Sequence, residues 1–448
     1  MLSSFEASHD AYLPSAQESG WLRDLRRRSL DQFKALGFPN KKVEAWKYSS
    51  TAKIARTPFI HDSGALFEAL AGTVVGSHSL RGAAAELVFV NGSYAAGLSR
   101  IADLPEGIEV TALATALNEQ DWSERLDPAG WSPFPDASRN PGPMQGMLHD
   151  RAFDALNTAF LQDGIVLRVR RGVTLKAPIH VLLITVGESA PVASHPRLII
   201  DVERTAQVTV VERHLATGSE PTLANTITDA HLADGAQLTH HLWRLGSNAA
   251  HHVGHVRVEV GRDARYVSHT AWLGAGFSRN DLDVRFVAPG GEALCTGVIV
   301  GTESEHIDNH TWMRHEAPQC TSREAYKGVY GGKSRGVFNG MVYIAPDAQQ
   351  TDAGLSNQNL LLSDRAQVQT KPELQIHADD VKAAHGCTIG QLDLGALTYL
   401  RTRGIREAKA RRMLTEGFVL DLLQEISDET LRDETTRLVR DRLARVAT

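Results

Sequence analysis

His385 and Cys387, an imidazole and a thiol two residues apart, give the clearest chemical signal in the sequence. In an extended strand, residues i and i+2 share a face, and the small neighbours Ala383, Ala384 and Gly386 leave room for a ligand. Imidazole and thiolate together suit borderline or soft metals such as iron or zinc. One His and one Cys do not complete a tetrahedral site, so further ligands must come from elsewhere, another chain included. The alternative is a buried structural histidine. A second pair, His306 and His310, has the i, i+4 spacing of a helical zinc site, but no Glu between them could serve as general base. In a β-rich context the two rings would stand about 13 Å apart along one strand face, which argues against a metal there. His240-His241 and His251-His252-His255 are expected to be polar residues on solvated strand faces. No GxxxxGK[ST] loop, no GxGxxG after a strand and no GxSxG elbow occurs, so nucleotide binding and esterase chemistry have no motif behind them.

The whole chain sets the frame for these residues. Its 448 residues allow two to four domains, and 42% hydrophobic with 22% charged residues describes an ordinary globular protein. A net charge of −6 gives no basic field to recruit nucleic acid or an anionic membrane surface. The start of the chain lacks the basic and apolar runs of a signal peptide, and no run of 18 apolar residues suggests a membrane span. Nineteen histidines stand against three cysteines, Cys295, Cys320 and Cys387, without a CxxC pair. That count argues against a disulfide framework or zinc knuckle and for a reducing, cytoplasmic compartment.

Three regions must position the candidate ligands. Residues 1–147 read as a helical and mixed N-terminal region with a Pro-rich linker. Trp21, Leu22, Leu25, Leu30, Phe33 and Leu36 recur at helical spacing up to Gly37 and Pro39, with an arginine run read as a solvated face. Leu87 to Tyr94 is a β-run with an Asn-Gly turn, and Asp127 to Pro143 carries five prolines and reads as a linker or long loop. A short helix is predicted for Leu148 to Leu161. Residues 148–388 form the second region, in which short strands alternate with a turn phrase ending in alanine: Ala206, Ala236, Ala264, Ala293, Ala348 and Ala366. The alanines fall 30, 28, 29, 55 and 18 residues apart, so three steps agree, the fourth is near two steps with a degenerate copy around Cys320, and the last breaks the pattern. A fixed period of this size predicts a parallel β-helix, with a rod on the order of 35–40 Å long and two ends that need covering. Residues 389–448 read as a C-terminal helical unit at one end of the rod, either a cap or a docking surface, with Asp393, Gly404 and Ser427 or Asp428 as caps.

One stretch carries more than periodicity. Tyr326-Lys327-Gly328-Val329, Arg335 to Gly340, Thr351-Asp352-Ala353, Ser356 to Ser363, Thr370 to Leu374, Ala378 to Lys382, His385-Gly386, Gly390 to Asp393 and Tyr399 to Ile405 resemble, in that order, the SufB/SufD family of iron–sulfur cluster assembly. Glu44 to Tyr48 and Ala155 to Phe160 resemble its SufD side, and the N-terminal cysteines typical of SufB are missing. The resemblance implies a mainly β chain with a right-handed parallel β-helix between an N-terminal helical or α+β region and a C-terminal helical domain. It implies a non-catalytic scaffold that pairs with SufB through the β-helix end and carries a SufC ATPase on its C-terminal helices. A nascent iron–sulfur cluster would be shared with the partner and not held tightly by this chain alone. His385 falls on the histidine the family contributes to that junction. Many SufD chains carry a cysteine where this one has Ala383, and Cys387 takes its place only if it shares the face of His385.

Two other functions compete. A carbohydrate-active β-helix enzyme would need converging carboxylates, and Asp379-Asp380, being adjacent, would face opposite ways in a strand. A homodimer acting as a scaffold without SufB is the other, and isolated chains of either scaffold type could self-pair. For the ATPase, the tight corner Arg403-Gly404-Ile405 is the expected contact, against ordinary helix capping.

Overall fold

The computed structural model describes Phe5 and residues 20–61, 68–101, 104–117 and 151–446. The Pro-rich stretch and the start of the helix expected at Leu148 lie outside these residues. Two long sheets dominate. One runs through β1 (Ala85–Val90), β6 (Ile179–Gly187), β9 (Gln207–Gly218), β11 (Gln237–Leu245), β13 (Arg265–Trp272), β15 (Glu292–Gly301), β17 (Thr321–Tyr330), β19 (Asp352–Leu361) and β21 (Lys382–Gln391), with β2 (Ser93–Tyr94) and β3 (Arg100–Ile101) on β1. The other runs through β4 (Ile108–Ala112), β5 (Gly164–Val169), β8 (Arg197–Val202), β10 (Thr222–Leu232), β12 (Ala250–Val260), β14 (Phe277–Phe286), β16 (His306–His315), β18 (Arg335–Ile344) and β20 (Gln367–Ile376), with β7 (Val192–Ser194) on β10. From β8 onward the chain alternates between the sheets and every stacked pair is parallel. The fold is a parallel β-solenoid.

The corners explain why the repeat was visible and where it was misread. Gln207, Gln237, Arg265, Glu292, Thr321, Asp352 and Lys382 stack in one column, with steps of 30, 28, 27, 29, 31 and 30 residues, so the period holds to the last coil. Two positions before each of the first six strands, the backbone turns left-handed, at Thr205, Gly235, Asp263, Gly290, Gln319 and Gln350. Asn, Asp and Gly tolerate that conformation best, so the three non-glycine residues other than Asp263 are held there by the coil above and below. Ala206, Ala236, Ala264 and Cys320 follow this corner directly. Ala348 belongs to the turn before it, and Ala366 leads into β20 at the opposite corner, which is why the last two alanine steps departed from the period.

Alternate residues face the lumen, filled by Leu198, Val208, Leu238, Tyr266, Val284, Met313, Val342 and Leu355 among others. The outward side of the second sheet is also covered. Helix α1 (Gly20–Leu36) and helix α2 (Ala152–Ala159) lie over it, and Trp46 stacks on Phe153 at 5.5 Å and on Phe277 at 6.4 Å. Arg26, expected on a solvated face, is buried and donates to the Leu161 carbonyl at 2.8 Å, whereas Arg23, Arg27 and Arg28 are exposed. Under this cover ion pairs link the strands of neighbouring coils. Arg257 holds Asp229 at 2.9 Å, Arg314 binds Asp283 at 2.8 Å, and Arg285 reaches Glu259 at 3.1 Å and Glu316 at 3.0 Å. These pairs tie neighbouring coils together and neutralise the charge buried under the cover.

The C-terminal helices α3 (Leu394–Thr402), α4 (Glu407–Leu420) and α5 (Glu429–Val446) do not sit over the end of the rod. They fold back along the flank of the first sheet, where Val419, Leu423, Ile426, Leu438 and Val439 pack on Trp243, Ala271, Val298 and Val329. Lys327 pairs with Asp421 at 2.8 Å, Arg213 with Glu434 at 3.1 Å, and the buried Arg442 with Glu305. Asp393 caps α3 through Gly395 and Ala396, and Asp428 accepts from Leu431 at the start of α5. Among the described residues no helix is long and apolar enough to cross a membrane.

Candidate functional site at the open end of the solenoid

The two ends of the solenoid differ. At the first, β2 and β3 pair antiparallel with β1, and β4 pairs antiparallel with β5. A reversed strand cannot template another parallel coil, so this end is closed. At the other, β20 and β21 pair only with β18 and β19, and their outer edges are free among the described residues. Exposure follows from this. Ile376 is 41% and Ile389 47% exposed although both belong to lumen-facing rows. Unpaired strand edges beside exposed apolar side chains form a surface on which another chain can pair.

His385 and Cys387 lie on β21, at this edge. In the register, Ala383, His385, Cys387 and Ile389 stack on Ala353, Leu355, Asn357 and Asn359, all buried and lumen-facing. The thiol and the imidazole therefore share one face, about 7 Å apart along the strand, and Ala383 lies on it as well. Both donors are exposed because no coil follows. The alternative of a buried structural histidine does not hold. Neutral imidazole with thiolate suits iron, and two donors leave the rest of a coordination sphere to other groups.

The corner Arg403-Gly404-Ile405 joins α3 to α4. Gly404 has φ +82°, a left-handed position that favours glycine, and its N–H donates to the Arg401 carbonyl at 2.9 Å. Arg403 lies over the Tyr399 ring at 5.2 Å, and Arg401 pairs with Glu407 across the corner at 3.6 Å. Leu394, Tyr399 and Met413 are apolar and 71%, 58% and 43% exposed.

The other histidine groups differ from expectation. His240, His241, His251 and His252 are buried, not solvated, and His255 is mostly buried. Around these histidines the outer faces are covered and the lumen is packed, so alternation along a strand did not mean exposure. His240 and His214 flank Glu212 in the lumen at 3.1 and 2.6 Å. Burial would raise Glu212, but hydrogen bonds from these two rings hold it well below the carboxylate range. His255 binds Asp154 of α2 at 3.0 Å. His306 stacks on Phe277 at 5.5 Å and meets the Ser49 hydroxyl at 2.7 Å, while His310 faces Asp308 at 2.9 Å. Among the described residues no three His, Cys, Asp or Glu side chains are grouped to hold a metal ion. Asp379 and Asp380 lie in the loop before β21, not in a strand, and the Asp380 carbonyl accepts from Gln350.

Comparison with known proteins agrees with the architecture. Residues 184–418 match the family model for the SUF system FeS cluster assembly SufBD core domain, and residues 3–125 match that for the SufBD protein N-terminal region. An iron–sulfur cluster assembly SufBD family protein of Synechocystis is 29% identical over 97% of this chain and 94% of its own. The iron–sulfur cluster assembly protein SufD of Escherichia coli is 28% identical over 98% of this chain and 95% of its own. A SufBD family protein of Mycobacterium tuberculosis is 29% identical over 65% of this chain and 73% of its own. The chain belongs to the SufBD family of iron–sulfur cluster assembly proteins, and its similarity to SufD extends over nearly its full length.

Proposed function

We propose that the chain is a non-catalytic scaffold subunit that shares a nascent iron–sulfur cluster with a SufB-like partner across the open end of its solenoid. The observation that carries this reading is the uncovered last coil, where His385 and Cys387 stand exposed on one face beside apolar, unpaired strand edges. A partner solenoid docking there would satisfy the edge hydrogen bonds and bring the missing ligands. His385 is the proposed ligand from this chain, with Cys387 as the second donor in place of a thiol at Ala383. The cluster is cargo, bound only in the assembled complex, in a reducing cytoplasmic compartment.

The C-terminal unit is proposed to dock a SufC-like ATPase through Leu394, Tyr399, Met413 and the corner Arg403-Gly404-Ile405. These residues are exposed, and α4, which carries Met413 and packs against α3, is fixed to the solenoid through Val419, so a pull on them would reach the coils. Without SufB, the same apolar end favours a self-paired homodimer of the isolated chain.

The two surfaces can be separated by co-purification with SufB and SufC. Ile389→Glu puts a charge into the end and should abolish recovery of SufB while SufC remains. Tyr399→Ala with Leu394→Asp should lose SufC and keep SufB. Loss of neither partner with either variant would refute the assignment of the surfaces.

A further inference from the structure

In the lumen of the coil built by β16 and β17, where Thr311 lies beside the Glu324 carboxyl and Asn309 beside the Tyr326 phenol, stand polar atoms of three side chains that complete no hydrogen bond of normal geometry. They are both oxygens of Glu324, both amide atoms of Asn309 and the Thr311 hydroxyl. Register sets all three inward. Glu324 stacks between Cys295 and Leu355, Asn309 stacks on Phe338, and Thr311 stacks on Leu282, each of these a core residue of the lumen. Glu324 is 3% exposed, and Asn309 and Thr311 are fully buried. Unpaired polar groups this deep cost free energy and are rare in native proteins. Five such atoms in one coil call for a common partner.

The surroundings define that partner. The titratable groups facing Glu324 are the Cys295 thiol on β15 and the Tyr326 phenol on its own strand, both kept neutral by burial. From β16 the Thr311 hydroxyl lies against it and from β19 Leu355 stacks on it, while Asn309 lies against the neighbouring Tyr326 phenol, whose ring packs on Phe338. Among the described residues no cation is arranged to neutralise this carboxylate, and a single carboxyl with an amide and a hydroxyl is a poor set for a resident metal ion. Burial pushes Glu324 up to about 8, so at neutral pH it keeps its proton and has one hydrogen to donate. Together the three residues offer donors and acceptors without net charge. Water matches that set: it needs two to four polar partners and carries no charge.

We propose that this coil of the lumen is a binding site for ordered water, in which the Glu324 carboxyl donates one hydrogen bond and Asn309 and Thr311 complete the shell. The site lies two coils below His385 in the same lumen column, through Leu355.

Infrared spectroscopy of the purified chain, together with a high-resolution crystal structure, tests the assignment. The wild-type chain should have a neutral-carboxyl band at pH 7 that disappears as pH passes about 8 and is missing in Glu324→Gln. Thr311→Val, which keeps the side-chain shape and the acid, should shift the same band by removing one member of the shell, and it provides a reading if Glu324→Gln does not fold. The crystal structure should hold water within hydrogen-bond distance of Glu324, Asn309 and Thr311. An ionised Glu324 at pH 7, a band unmoved by Thr311→Val, a metal ion at the position, or a dry chamber would each overturn the proposal.

Discussion

Glu324 and His385 occupy the same lumen column and end in opposite environments, one sealed within the solenoid and the other left in solvent by the end of the chain of coils. For Glu324 the consequence is thermodynamic. Its carboxyl titrates near 8 in the folded chain, against about 4.3 in an unfolded one. Between those values the unfolded chain releases a proton that the folded chain keeps, so this residue lowers stability progressively as pH rises, and the penalty levels off above about 8. Glu324→Gln should therefore raise the melting temperature by an amount that grows from about pH 4.3 to about pH 8 and is constant beyond. Melting curves across that range check it, and a gain independent of pH would contradict it. The sequence made the shared face of His385 and Cys387 readable, because strand parity is local. It could not reveal that both are exposed, because exposure depends on β21 being the last coil. For His240, His241, His251 and His252 the same local rule misled, since what covers a strand face is set by distant helices.

At the scale of elements, the terminal units are held to the solenoid by different chemistry. The C-terminal helices are riveted by Arg442 to Glu305 and by Arg213 to Glu434, with the Arg213 guanidinium also 4.6 Å from the centre of the Trp243 ring. Arg442→Ala leaves Glu305 buried and unpaired, a change that typically costs about 3–5 kcal/mol. It should speed hydrogen exchange in Glu429–Val446 well before the strands of the solenoid exchange. Equal acceleration in both would contradict a separate latch. The N-terminal side is held through histidines instead. His195 meets His61 at 3.1 Å, His306 meets Ser49, and His251 feels the charge of Lys53. Burial lowers all three, with His251 titrating at about 4. The stability they contribute is present above the ordinary histidine value of about 6.5 and falls as pH drops below it towards about 4. His255 opposes this: burial lowers it, but the Asp154 carboxylate outweighs burial and raises it. Burial lowers His241, His252, His269 and His315 within the solenoid as well, so the melting temperature of the chain should fall as pH drops below about 6.5, and a melting temperature unchanged by acidification would contradict the account. The helices themselves were legible from caps such as Asp393, Asp428 and Gly404, which act within a few residues. Their position along the flank was not, because it rests on contacts such as Lys327 to Asp421, far apart in sequence.

The whole molecule is a rod with one closed and one open end, and this asymmetry gives the functional reading its direction. The period of the coils was readable because each corner repeats the same backbone demand two residues before a strand. Which end is closed was not, since β2, β3 and β4 are short and reverse direction only through pairing. If the open end is the working surface, the isolated chain should self-associate through it. Light scattering should then give a dimer that Ile389→Glu converts to monomer, and a wild-type monomer would remove the evidence that the end is adhesive. The central claim, that His385 at this end ligates a shared cluster, is tested most directly by anaerobic co-purification with SufB and SufC followed by an iron assay. The account predicts that His385→Ala assembles with both partners as wild type does but retains markedly less iron and sulfide. Unchanged iron and sulfide in a fully assembled His385→Ala complex would contradict it.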